Sequence, residues 1–125
     1  MDRMDMFIDV PQIKYEELAD PAEADSTEEQ QARTRVRLAR QRQQERFEDA
    51  TCNAEMALAD IQKHCQIDRQ SDELLKKYVD SGKLSARGYH RILKLALTIA
   101  DLTASDQILF PHISEALSYR IKEEI

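Results

Sequence analysis

The run LSARGYHRILKLALTIADL, residues 84–102, constrains this chain more than any other stretch. Ile92, Leu95, Ala96, Ile99, Ala100 and Leu102 recur at helical spacing and lay one broad apolar face along a helix expected over 86–102. Ser85 stands at the N-cap position, where its hydroxyl accepts from a backbone N–H of the first turn. Arg87 follows inside that turn, beside Gly88. A cation there opposes the helix macrodipole, which favours anions at this end. Free N–H groups and a cation at one helix start suit a phosphate-type anion. Many arginines near helix starts are simply solvated, so the residues by themselves leave both readings open.

The rest of the composition points to helices. Glycine is limited to Gly82 and Gly88, while Ala, Leu, Glu, Gln and Arg are abundant; that balance favours a mostly helical protein. A length of 125 residues fits one small domain or a piece of a larger one. The net charge of −6 argues against general nucleic-acid binding, though not against a local basic patch. Cys52 and Cys65 suit a reduced, cytoplasmic chain better than a disulfide framework. No apolar run approaches the ~20 residues that span a bilayer, so no membrane partner is expected. The acidic start MDRMDMFIDV has neither the basic flank nor the apolar core of a signal peptide.

Read in order, the chain opens with Met4, Met6, Ile8 and Val10 alternating against Asp5, Phe7 and Asp9, a strand pattern that ends at Pro11. A lone strand is not stable, so this orphan strand implies a sheet supplied by further polypeptide. An acidic loop follows to residue 25. Ser26 and Glu29 have capping-box spacing for a helix over 26–48. Its apolar stripe of Ala32, Val36, Ala39 and Phe47 is thin and interrupted by Gln43. Over residues 28–47 six arginines (Arg33, Arg35, Arg37, Arg40, Arg42 and Arg46) face three glutamates, a net +3. The run admits two readings: a long solvated helix packed along one narrow seam, or a helix facing nucleic acid. Charge runs commonly solvate a face, and no aromatic residue interleaves to stack bases.

Beyond a break at 49–53, with Thr51 or Asn53 as a cap, Ala54, Leu58, Ile61 and Cys65 share one face of a helix expected over 56–65. His64, His90 and His112 are isolated and no metal-ligand spacing appears, so zinc or thiol chemistry is not expected and Cys65 reads as core. Ser71 begins a helix expected over 72–81, with Leu74, Leu75, Tyr78 and Val79 on its buried side. Gly82 is placed to stop it in the left-handed conformation, and Leu84 to fold back as an apolar contact. Pro111 suits the first turn of a last helix over 111–122, whose inner stripe is Ile113, Ala116, Leu117 and Ile121. The expected fold is all-α: a small helical bundle preceded by a long arginine-rich helix and a short orphan strand. Its core is expected to include Leu58, Ile61, Leu75, Val79, Ile92, Leu95, Ile99, Ile113 and Leu117.

With SAR, Y, RIL and TIADL in register, residues 84–102 resemble the C-terminal region of bacterial magnesium-chelatase-like AAA+ ATPases, in the competence-associated branch, where the stretch reads close to LSARAYDRILRVARTIADL. Gly88, Tyr89, His90 and Arg91 stand where the family has A-Y-D-R. SEALSYR near the end resembles the family's EALQYR, and the opening residues resemble its LDRID segment with Met1 for leucine. The resemblance implies three parts: 1–25 closing an AAA+ core, 26–48 a connecting helix, and 49–125 a helical lid. It implies that Arg87 is the sensor-2 arginine facing the γ-phosphate of ATP in the same subunit. It implies that Arg3 is the arginine finger, acting in trans on the neighbouring subunit's nucleotide. ATP and Mg²⁺ are then cofactors of the full-length protein. The family's phosphate loop, G-x-x-x-x-G-K-[ST], is absent from these 125 residues, so no cofactor and no ATPase activity are expected of this piece alone. The implied partners are the upstream AAA+ core, further copies in a homo-oligomeric ring, and DNA. The alternative from the residues is a free-standing helical module that binds protein or nucleic acid through its arginine-rich helix.

Overall fold

In a computed structural model the described residues are Met6, Ile8, 27–47 and 52–121, with the backbone alone for 120 and 121, and every regular element among them is helical. Five α-helices run in order: α1 (Thr27–Arg46), α2 (Leu58–His64), α3 (Arg69–Asp80), α4 (Ala86–Leu102) and α5 (Phe110–Ile121), with a 3-10 turn at Asn53–Glu55 before α2. The strand expected over 4–10 lies outside the described residues except for Met6 and Ile8, which are exposed. Ser26, the expected cap of α1, lies outside them too.

The fold is built around α4. Every other helix and the 3-10 turn pack on it, and α3 also touches α5. Accordingly α4 is buried on more than the one expected face: Ile92, Leu93, Ala96, Leu97, Ile99 and Ala100 are all inside. A helix apolar on most sides is a core helix. Ile92 and Ala96 meet Leu75 of α3 and Ile113, Ala116 and Leu117 of α5 in one cluster, each large side chain contributing roughly 1.5–3 kcal/mol by leaving water. Leu95 is only half-buried and packs at the cluster's edge.

Two expected core residues are corrected. Leu58 is 55% exposed and Ala54 is also exposed. The helical phase assumed from Ala54 does not run through, because residues 53–55 form a 3-10 turn and α2 starts only at Leu58. Met56 and Asn53 are buried in their place, alongside Ile61 and Cys65. Val79 is 38% exposed: α3 turns Ser71 and Leu75 fully inward, with Leu74 and Tyr78 beside them, and Val79 falls at the edge of that stripe. Helix α3 also starts earlier than expected. Asp68 caps it, accepting from Ser71 N–H at 2.8 Å, so Ser71 is buried inside the first turn instead of beginning the helix.

The helix ends follow local chemistry. Gly82 has φ +78°, and Lys83 N–H donates to Tyr78 O while Gly82 N–H donates to Val79 O, a Schellman stop to α3. Leu84 folds back and is buried. The same motif stops α4: Ser105 N–H donates to Ala100 O and Ala104 N–H to Asp101 O. Here the left-handed residue is Ala104, φ +59°, which carries a Cβ penalty that glycine avoids. At the start of α2, Asp60 accepts from Ala57 N–H. At the start of α5 the His112 imidazole does the equivalent, its Nδ1 accepting from Leu109 N–H at 2.9 Å. Its Nε2 lies 3.2 Å from Thr103 Oγ1, which donates to Ala100 O. This relay fixes the angle between the end of α4 and the start of α5.

Candidate functional site

The start of α4 is the candidate site. Ser85 is extended, and its Oγ accepts from Gly88 N–H at 3.0 Å while its carbonyl accepts from Tyr89 N–H. The N–H groups of Ala86 and Arg87 have no helical carbonyl four residues back to donate to, so they remain available to a ligand. Arg87 is exposed, and its side chain has no hydrogen-bond or ion-pair partner among the described residues. No acidic residue lies in this first turn. Gly88 is buried, so the start of α4 sits close on the bundle. The turn therefore presents uncompensated positive charge, from dipole and guanidinium together, at one point of a rigid body.

One turn on, Arg91 is half-buried. With Lys94, Leu95, Thr98 and Ala54 it lines a groove of ≈ 210 Å³. Lys94 is engaged there, its Nζ donating to Ala54 O at 3.0 Å. Arg3 lies outside the described residues. Among the described residues no group of three or more His, Cys, Asp or Glu side chains is placed to hold a metal ion. No described helix is long and apolar enough to cross a membrane. Cys65 is buried, its thiol donating weakly to Leu93 O; burial pushes its pKa up to about 11, which keeps it protonated.

The arginine-rich helix holds an arrangement that the sequence reading missed. Arg46 makes a bidentate pair with Asp101 of α4, at 2.7 and 3.0 Å. Buried Asn53 ties into it, its amide donating to Asp101 Oδ2 and Thr98 Oγ1 and its carbonyl oxygen accepting from Arg46. Asn53 N–H in turn donates to the Gln43 side chain. Gln43 thus belongs to the packed seam of Ala39, Gln43 and Phe47, and does not interrupt it. Val36, expected in that seam, is 51% exposed, because the bundle ends before it. One turn back from Arg46, Arg42 donates to the carbonyls of Ala104 and Ser105 and pairs with Asp106. The signal for this clamp was Asp101 itself: a carboxylate inside the apolar run of α4 demands a cation.

Comparison with known proteins decides the family. The model of the magnesium chelatase, subunit ChlI C-terminal family matches residues 26–120. The chain belongs to this family. It is 37% identical over 120 residues to competence protein ComM of Haemophilus influenzae, covering 96% of this chain. It is 32% identical over 123 residues to the uncharacterized protein YifB of Salmonella typhimurium, and 33% identical over 123 residues to YifB of Escherichia coli K12, again over 96% of this chain. In each case it spans 23% of the relative's length. The chain is thus a magnesium-chelatase-like C-terminal region with a helical fold, and the matched span takes in all of α1 to α4 and α5 up to residue 120, including Arg87 and the Arg46–Asp101 clamp.

Proposed function

We propose that this chain is the helical lid of an AAA+ ATPase, and that Arg87 reads the terminal phosphate of an ATP held by the same polypeptide. The observation that carries this reading is Arg87 itself, an exposed cation without a partner among the described residues, at the capped start of the helix on which the bundle packs. A phosphate drawn to that turn engages the helix dipole, its free N–H groups and the guanidinium at once. Loss of the γ-phosphate releases that hold, and the bundle turns as one body because α4 touches every other element. While the phosphate is transferred, the same guanidinium stabilises developing charge.

The cradle for the phosphates and the Mg²⁺ ligands belong to an ATP-binding core. No G-x-x-x-x-G-K-[ST] occurs in these 125 residues, and the described residues offer no metal cluster. Arg3, in the opening segment, serves as the finger that reaches the nucleotide of a neighbouring copy in a ring. The competence role in the name of the Haemophilus influenzae relative favours DNA as what the ring works on.

The test is Arg87→Ala in the polypeptide joined to its ATP-binding core. ATP turnover falls while ATP binding is largely kept, because the phosphate loop makes most of the contacts; full turnover in this variant overturns the assignment. Mixing Arg3→Ala with a phosphate-loop variant restores part of the turnover if Arg3 acts in trans. The 125-residue chain alone turns over no ATP.

A further inference from the structure

Helix α1 overhangs the bundle. Its foot is fixed by Ala39, Gln43, Phe47, Arg42 and Arg46, but from Thr27 to Leu38 every residue except Ala32 is exposed. At 1.5 Å per residue the overhang is about 18 Å long. A helix of about a dozen residues without tertiary packing is marginal in water, and the exposed Glu29–Arg33 pair adds only a few tenths of a kcal/mol. A partner that lies along this stretch therefore gains a surface already aimed by the clamp below it.

The chemistry of the overhang selects the partner. Arg33, Arg37 and Arg40 recur at i, i+4 and i+7, forming one exposed row about 10 Å long. No acidic residue occurs from Gln30 to Gln44. Outside residues 28–47 the chain carries a net −9, so a polyanion is repelled from the rest of the molecule and steered to this helix. Val36 and Leu38, the exposed apolar residues of α1, are two positions apart and so point to different sides. They cannot form the apolar row that docks a helix into a protein groove. No aromatic residue stands in the row to stack unpaired bases.

We propose that the row Arg33–Arg37–Arg40 binds the phosphate backbone of double-stranded nucleic acid without reading its sequence. This deepens the DNA part of the function proposed above and is independent of the role given to Arg87.

The test is fluorescence anisotropy of a labelled duplex of about 20 base pairs, titrated with the 125-residue chain between about 50 and 200 mM salt. Three phosphate contacts predict a slope of log Kobs against log salt near −2.7. Replacing all three arginines by glutamine lowers affinity at least tenfold and flattens the slope, while replacing all three by lysine keeps both. The positions are exposed, so the helical circular dichroism of both variants matches the parent. Equal binding and equal slope in the glutamine variant overturn the row while leaving DNA as a partner through another surface. Absence of binding by the parent at the lowest salt overturns DNA binding by this chain, and leaves the Arg87 assignment to its own assay. Equal competition by an acidic polypeptide overturns the duplex in favour of an acidic protein partner.

Discussion

Arg46 and Asp101 meet in a bidentate ion pair that joins the arginine-rich helix to the central helix, with the Asp101 side chain fully buried and that of Arg46 17% exposed. The pair is further satisfied by Asn53, so no oxygen of Asp101 lacks a donor. Removing one partner leaves a buried charge uncompensated. Arg46→Ala is expected to cost about 3–5 kcal/mol, read as a lower urea midpoint. The double variant Arg46→Met/Asp101→Leu is expected to recover much of that loss, because it leaves no charge behind.

The core itself divides between residues that the periodicity placed and residues that it misplaced. Ile92→Ala and Ile113→Ala, at fully buried positions of α4 and α5, are each expected to cost about 2–5 kcal/mol. Leu58→Ala removes a side chain that is mostly in water and should stay within about 0.5 kcal/mol. Chemical denaturation of the three variants checks the ranking.

That contrast shows what was legible in the sequence. The long helix α4 carries enough turns for its period to be unambiguous, and its bounds at Ala86 and Leu102 match those read from Ser85 and the apolar run. Gly82 was readable because only one conformation explains it there. In α2 the signal is two turns long, and one 3-10 turn before it is enough to rotate Leu58 out of the core. Asp101 inside the apolar run called for a cation, but its partners were not legible, because Gln43, Arg46 and Asn53 come from two other segments and look individually like solvated polar residues. Their burial is a tertiary fact. At the candidate site the cap and the cation were readable as a local pattern. That Arg87 has no partner among the described residues depends on which neighbours the fold brings near, and no local pattern gives that.

The end of α4 offers a stabilising change. Ala104 holds a left-handed conformation that closes a Schellman motif, and Arg42 binds its carbonyl. Ala104→Gly keeps the motif and removes the Cβ penalty, so the chain should gain about 1 kcal/mol. Gly82→Ala is the mirror experiment. Nothing lies within 4 Å of a Cβ built there, so its cost, about 1–2 kcal/mol, is conformational alone. Thermal unfolding should show the two variants moving in opposite directions.

The two cysteines should differ in reactivity. Cys65 is buried and its thiol is held protonated, whereas Cys52 is partly exposed. Only a thiolate attacks an alkylating reagent. In native protein at pH 8, iodoacetamide is expected to label Cys52 and spare Cys65, and in denaturant both should react. Native labelling of Cys65 at the rate of Cys52 would contradict the packing of α2 against α4.

Stability should fall on the acid side, and His64 sets where the fall begins. Burial holds its pKa below the ordinary 6.5, with the Arg46 and Lys63 charges acting in the same direction and Asp60 opposing them. Phe47 packs edge-on against the ring at 5.4 Å between centroids. A folded-state value below the unfolded one means that the unfolded chain binds the proton more readily. The contribution is therefore complete above pH 6.5 and is lost as pH falls through the folded value. Asp68 adds a second step. Interaction with Ser71, whose backbone N–H donates to it at 2.8 Å, holds the Asp68 carboxyl below its ordinary 3.8, so that contribution is present above pH 3.8 and disappears as the carboxyl protonates. Urea midpoints measured from pH 7.5 to pH 5 should decline in the parent, and the decline should be shallower in His64→Gln. An unchanged profile in that variant would show that the acid sensitivity arises elsewhere.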